Sequence, residues 1–154
     1  FYISHNKEKL MKLNDEICEF LRTKAGEEAA KLGIDISFAV VDESGILKLF
    51  QRFGEALLIS VNLVLKKAYT AVITRSKTKD VAAWAKEGGA LMGIHTTSKQ
   101  ICLVAGGYPL FAGERLIGGI GVGGGSEAKD LQIAEALLEA FKERYGNSID
   151  RINF

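Results

Sequence analysis

This chain has few residues of several types, and each shortage excludes a class of protein. It has one proline among 154 residues, so no Pro-rich linker is expected. Its two cysteines, Cys18 and Cys102, form no C-x-x-C spacing, which favours buried thiols in a reducing compartment over a zinc site. With 20 basic and 19 acidic side chains, the chain has no charge excess to attract nucleic acid or an anionic membrane.

Long apolar segments are also missing from this sequence. No run reaches the ~18 residues that a membrane-spanning helix needs. The first residues turn polar at once, which predicts that no signal peptide is present. We therefore expect a cytoplasmic protein that forms a single domain over residues 1–154.

Hydrophobic periodicity predicts both helices and strands. Apolar residues spaced by three and four predict helices over residues 4–31, 57–74, 79–85 and 126–145. Runs of β-branched and aromatic residues predict strands over residues 34–41, 46–53, 100–105, 108–112 and 115–122. Short turns at residues 42–45 and 113–114 can join only antiparallel neighbours. The order α-β-β-α-α-β-β-β-α therefore predicts an α+β fold with a five-stranded antiparallel sheet and helices packed on it.

The segment from Gly106 to Gly125 holds a large share of the chain's 17 glycines. Residues 119–124 match G-x-G-x-x-G, but no βαβ unit follows them, which argues against a dinucleotide site. The glycines also suit an anion site at the N-terminus of the last helix. A third interpretation is that a helix or a second subunit lies directly on the strand.

A ligand pocket is predicted where this segment meets two charged side chains. The loop residues Gly121, Gly123, Gly124 and Gly125 offer main-chain N–H donors. Lys67 adds a positive charge, and Asp130 orients it or binds a ligand hydroxyl. Lys67 also follows Lys66, and a desolvated lysine beside another cation can act as a nucleophile, although a surface role is the alternative. The ligand expected here is a small neutral-to-anionic molecule.

Four blocks of residues resemble a known family. They are Glu55–Ser60, Lys66–Ala71, Gly106–Leu110, and the run Ile117–Gly125 followed by Asp130. Together they are similar to the GlcG/HbpS-like family, and most of all to the C-terminal domain of PduO-type corrinoid adenosyltransferases and its stand-alone relatives. The chain departs from the family pattern at Gly123, where members usually carry serine.

The resemblance implies a profilin-like fold and a homo-oligomer, either a dimer or an octamer. It also implies that some members bind haem and that others work beside cobalamin-dependent diol or glycerol dehydratases. The two histidines of this chain, His5 and His95, are the candidate haem ligands because imidazole binds iron. No metal site is predicted, since neither histidine has cysteine or paired carboxylate neighbours at ligand spacing.

The function expected from these features is that of a non-catalytic accessory protein that binds haem or a small ligand. One alternative is an enzyme acting on a small polar metabolite, with Lys67, Asp130 and His95 as its polar groups. Another is an assembly or chaperone-like partner of a dehydratase, with no small ligand.

Overall fold

The protein is described by a computed structural model over residues 11–152, with side chains over residues 11–146. The α-helices are α1 (Asp15–Leu32), α2 (Leu58–Thr74), α3 (Thr78–Trp84) and α4 (Glu127–Ile152). The β-strands are β1 (Ser37–Asp42), β2 (Leu47–Arg52), β3 (Gly107–Ala112) and β4 (Arg115–Gly123), and a 3-10 turn spans Ile94–Thr96.

The sheet has four strands in the order β2-β1-β4-β3, and all neighbours are antiparallel. Hairpins make the two outer pairs, and the central pair places Phe38 of β1 opposite Val122 of β4. Gly113 takes a φ of +63° in the turn between β3 and β4. The α+β class, the antiparallel sheet and this hairpin are confirmed.

Alternating side chains of β1 divide the core into two layers. Phe38 and Val40 pack in one cluster with α1 and α4. Ala39 and Val41 face the other way and pack against α2. Because successive strand residues point to opposite faces, the sheet lies between the α1/α4 pair on one side and α2 on the other.

Helix α2 lies unusually close to the glycine-rich strands. A Cβ atom added to Gly121 would overlap the carbonyl oxygen of Val64, and one added to Gly107 would overlap the carbonyl oxygen of Lys67. The missing side chains therefore let the helix backbone rest on β3 and β4. This contact fixes the height of α2 above the sheet.

The predicted strand over residues 100–105 is wrong. Its backbone bonds to a helix hydroxyl: Cys102 N donates to Thr70 Oγ1 at 2.8 Å, and that hydroxyl donates to Gln100 O at 3.3 Å. The segment therefore runs beside α2 without entering a strand ladder. The five-stranded sheet is corrected to four strands among residues 11–152.

Two helix boundaries also differ from prediction. Helix α1 begins at Asp15 because the Asn14 side chain caps it, accepting from Ile17 N at 2.8 Å. Residues 11–14 are not helical, and residues 4–10 of the predicted helix lie outside the described residues. Helix α4 starts after Ser126, as expected, but continues to Ile152 and not to residue 145.

Two further observations concern membrane-spanning helices and the cysteines. None of the helices found within residues 11–152 is both long enough and apolar enough to cross a bilayer. Cys18 and Cys102 are buried free thiols, in agreement with the sequence-based expectation.

Adding one methyl group at the helix–strand contact tests this account of the fold. We expect Gly121→Ala to lower the free energy of unfolding by about 2 kcal/mol or more, because helix α2 has to move away from β4. Gly146→Ala is the matched control. Gly146 lies in α4 with open space around its Cβ position, so this change should raise the free energy of unfolding by about 0.5–1 kcal/mol. Urea unfolding measures both changes. Equal stabilities for the two variants would contradict the close contact.

Candidate functional site

A pocket of about 550 Å³ opens between the N-terminal half of α2, helix α3, residues 103–105 and the start of α4. Its apolar wall comes from α2 and from the segment before β3, namely Leu57, Ile59, Leu63, Leu103, Val104 and Ala105. Its charged residues are Lys67, Lys79, Asp80, Lys86, Glu127 and Asp130. The three cations and three anions balance, so the pocket selects neither sign of ligand strongly.

Two of these charges lie close together in a buried part of the pocket. Lys67 is 1% exposed and Asp130 is 4% exposed. Lys67 Nζ lies 3.6 Å from Asp130 Oδ2, which is an ion pair but too long for a good hydrogen bond. The ammonium donates one hydrogen bond, to Val122 O at 2.8 Å. No further acceptor among the described residues lies within hydrogen-bond distance of Nζ, so the group keeps donor capacity for a ligand.

Neighbouring backbone holds both members of the pair in place. Asp130 Oδ1 accepts from Gly125 N at 2.9 Å. A Cβ atom at Gly106 would lie 2.9 Å from Lys67 Nζ, and one at Gly123 would lie 3.2 Å from it. Glycine at these two positions therefore leaves the space into which the lysine extends.

Burial dominates the electrostatics of this pair. It lowers the pKa of the Lys67 amine and raises the pKa of the Asp130 carboxyl. Their mutual attraction acts against both shifts, and the hydrogen bond from Gly125 N to the carboxylate acts against the rise in the pKa of Asp130. Both shifts bring the pair closer to exchanging its proton and becoming a neutral amine beside a carboxylic acid.

The predicted glycine loop divides into two parts. Gly124 and Gly125 line the pocket, while Gly121 and Gly123 belong to β4 and lie under helix α2. The N–H of Gly125 is already bound to Asp130. Thus the structure brings Lys67, Asp130 and the end of the loop together, and their binding of a ligand stays a prediction.

Of the two candidate histidines, the structure describes only His95, which lies outside this pocket. His95 lies in the 3-10 turn Ile94–Thr96, is exposed, and is not part of the pocket wall. His5 lies outside the described residues. In the part of the chain that the structure describes, no three histidine, cysteine, aspartate or glutamate residues gather where a metal ion could bind.

Sequence reasoning missed the residues at the pocket mouth. Leu57, Leu58 and Ile59 are 65%, 74% and 66% exposed, respectively. Three consecutive apolar residues do not fit a helix with a single apolar face, and this departure from the pattern was the signal available in the sequence. Lys79 and Lys86 gave no such signal, because isolated lysines are ordinary surface residues.

Comparison with known proteins assigns the family. The model of the HbpS-like family, described as haem degrading protein HbpS-like, matches residues 13–139. The chain belongs to this family. It is 34% identical to an uncharacterised 15.0 kDa protein from the dhaT–dhaS intergenic region of Citrobacter freundii, over 75% of this chain and 82% of that protein.

Longer relatives and solved structures agree with this assignment. The corrinoid adenosyltransferase PduO of Citrobacter freundii is 32% identical over 92% of this chain, yet the chain spans only 42% of PduO. The crystal structure of a PduOC:heme complex has a TM-score of 0.81 and 32% identity, over 84% of this chain and 95% of that one. A Streptomyces reticuli HbpS double mutant has a TM-score of 0.76 and 28% identity, over 85% and 88% of the two chains.

Removing one charge of the buried pair tests its energetic role. Asn at position 130 can still accept from Gly125, but Lys67 must then keep an unpaired buried charge or give its proton to water. We expect Asp130→Asn to lower the free energy of unfolding by about 2–3 kcal/mol. The double variant Lys67→Met/Asp130→Asn should recover part of this loss. Urea unfolding at pH 7 compares the three proteins, and a double variant no more stable than Asp130→Asn would contradict the pairing.

Proposed function

We propose that this chain is a haem-binding accessory protein. The observation that carries the proposal is the 32% identity and TM-score of 0.81 to the PduOC:heme complex, supported by the match to the HbpS-like family. When bound, haem supplies an iron centre whose reactivity is set by its axial ligand and by the walls around it. The corrinoid adenosyltransferase activity named for the longer relatives is not part of the proposal.

The pocket suits the macrocycle and carboxylates of haem better than it suits the iron, which needs an axial ligand. Apolar side chains such as Leu57 and Val104 suit the flat macrocycle, and Lys79 and Lys86 at the mouth can pair with its carboxylates. However, among the described residues the pocket wall contains no histidine, cysteine, methionine or tyrosine, which are the usual axial ligands. We propose that His95 or His5, of the same or a second copy, supplies an imidazole that binds the iron.

Haemin titration of four proteins tests the histidines. We expect wild type to show a Soret band that saturates, and either His95→Ala or His5→Ala to weaken binding about tenfold or more and to change the spectrum. Lys48→Ala, which lies away from the pocket wall, is the matched control. If wild type shows no specific band, haem binding is wrong. If neither histidine variant differs from wild type, histidine ligation is wrong.

We also propose that the chain forms a homo-oligomer, a dimer or an octamer. The family resemblance supports this, and so does the exposed apolar run at the start of α2. Such a run is costly to leave in water and suits contact with a second copy. A second copy at this surface would also add apolar surface beside the pocket, whose wall includes Leu57 and Ile59.

Sedimentation at micromolar concentration tests the assembly. We expect wild type to sediment as a dimer or larger, and Leu58→Glu to shift it towards the monomer, because a carboxylate cannot be buried there without a partner. Met92→Glu is the control, as Met92 is similarly exposed (62%) but lies away from α2. A monomeric wild type would sink the proposal.

The metabolic setting is a further part of the proposal. Two relatives are named as corrinoid adenosyltransferases and one is placed in a dhaT–dhaS intergenic region. These names support a role beside cobalamin-dependent diol or glycerol dehydratase metabolism, and the buried thiols support a cytoplasmic location.

A further inference from the structure

The geometry of the pocket points to covalent chemistry at one lysine, which goes beyond haem binding and does not rest on it. Lys67 is 1% exposed, yet it lines a pocket of about 550 Å³. Lys67 is therefore part of the pocket wall, where an entering molecule can approach its side chain, but it is shielded from bulk water. We propose that Lys67 captures small aliphatic aldehydes as a reversible imine, with Asp130 as its proton donor and acceptor.

Burial makes the neutral form of the amine accessible. Asp130 Oδ2, 3.6 Å from Lys67 Nζ, is the nearest proton acceptor of opposite charge. Two charges kept out of water gain little over a neutral amine beside a carboxylic acid, because each loses its hydration. The other titratable groups facing the lysine are the Cys102 thiol and the mouth residues. Among the mouth residues the opposite charges cancel: Lys79, Lys86, Asp80 and Glu127.

The reaction balances with the groups present. The neutral Lys67 amine adds to the carbonyl carbon; the Asp130 carboxylic acid gives its proton to the aldehyde oxygen and takes back the proton that the nitrogen loses, giving a carbinolamine. The Asp130 carboxylic acid then protonates the hydroxyl, which leaves as water. The products are a protonated imine on Lys67, a carboxylate on Asp130 and one water molecule. The new cation lies beside the new anion, so the charge pairing of the site is kept.

The pocket walls indicate the kind of aldehyde. Leu57, Leu63 and Val104 offer apolar surface to a short hydrocarbon chain. The balanced charges at the mouth give no strong preference for an acidic or basic substituent. The Val122 carbonyl, 2.8 Å from Nζ, holds the amine in place before the attack. A small uncharged aldehyde therefore suits both the walls and the amine.

Reductive trapping of wild type tests the proposal directly. The protein is treated at pH 7 with butyraldehyde and sodium cyanoborohydride, and peptide mapping by mass spectrometry measures the initial rate at each amine. We expect Lys67 to be alkylated at least about tenfold faster than Lys79 and Lys86, because burial lowers the pKa of its amine and the pocket holds the aldehyde beside it. Alkylation of exposed lysines alone would overturn the proposal. The ion pair of Lys67 and Asp130 would then have only a structural role.

A Lys67 variant and the pH dependence of the rate distinguish imine formation at Lys67 from general alkylation of surface lysines. Lys67→Arg keeps the positive charge but cannot form an imine. The rapid alkylation seen in wild type, called the fast phase, should therefore disappear, while Lys79 and Lys86 react as before. Lowering the pH from 8 to 6 should slow the alkylation of Lys67 less than the alkylation of the protein's other amines taken together, because burial lowers the pKa of the Lys67 amine. A fast phase that survives in a folded Lys67→Arg protein contradicts the assignment. The haemin titration has a separate readout, so each proposal can fail without the other.

Discussion

The contact between helix α2 and strand β4 sets the position of everything in the pocket. Glycine at position 121 removes the side chain that would otherwise keep the two backbones apart. The helix can then place Val64 and Ala68 directly against the sheet, where they pack with residues of β1. The helical step of about 1.5 Å per residue carries this constraint along α2 to Lys67. Its side chain reaches the end of β4, where Val122 O accepts a hydrogen bond from it.

The contact between α2 and β4 also brings Lys67 to its buried partner Asp130. The end of β4 turns through Gly124 and Gly125 into α4, which carries Asp130. Gly125 N donates to the carboxylate, so the turn fixes Asp130 at the same time as the strand fixes Lys67. Three elements are therefore tied at one point on the pocket wall. The apolar surroundings of that point explain why both pKa values shift towards the neutral forms.

The features that local patterns encode could be predicted from the sequence. Helix α2 and both hairpins follow from apolar spacing and turn residues within a few positions of each other. The segment 100–105 has the composition of a strand, but a hydroxyl on Thr70 takes its backbone bond, and no local pattern reports that partner. The glycines of β4 had the same ambiguity: close approach by a helix and close approach by a ligand need the same residue. Only the structure separates Gly121, under the helix, from Gly125, at the pocket.

The chemistry of the pair bears on why it lies at a cavity. A buried ion pair seldom stabilises a fold more than apolar residues of similar size, because desolvation offsets the attraction. Between α2 and the sheet, apolar side chains such as Val64 and Val72 already supply the packing. Lys67 and Asp130 instead place an amine and a carboxyl group beside apolar walls of the pocket, and the proposed imine chemistry rests on this arrangement.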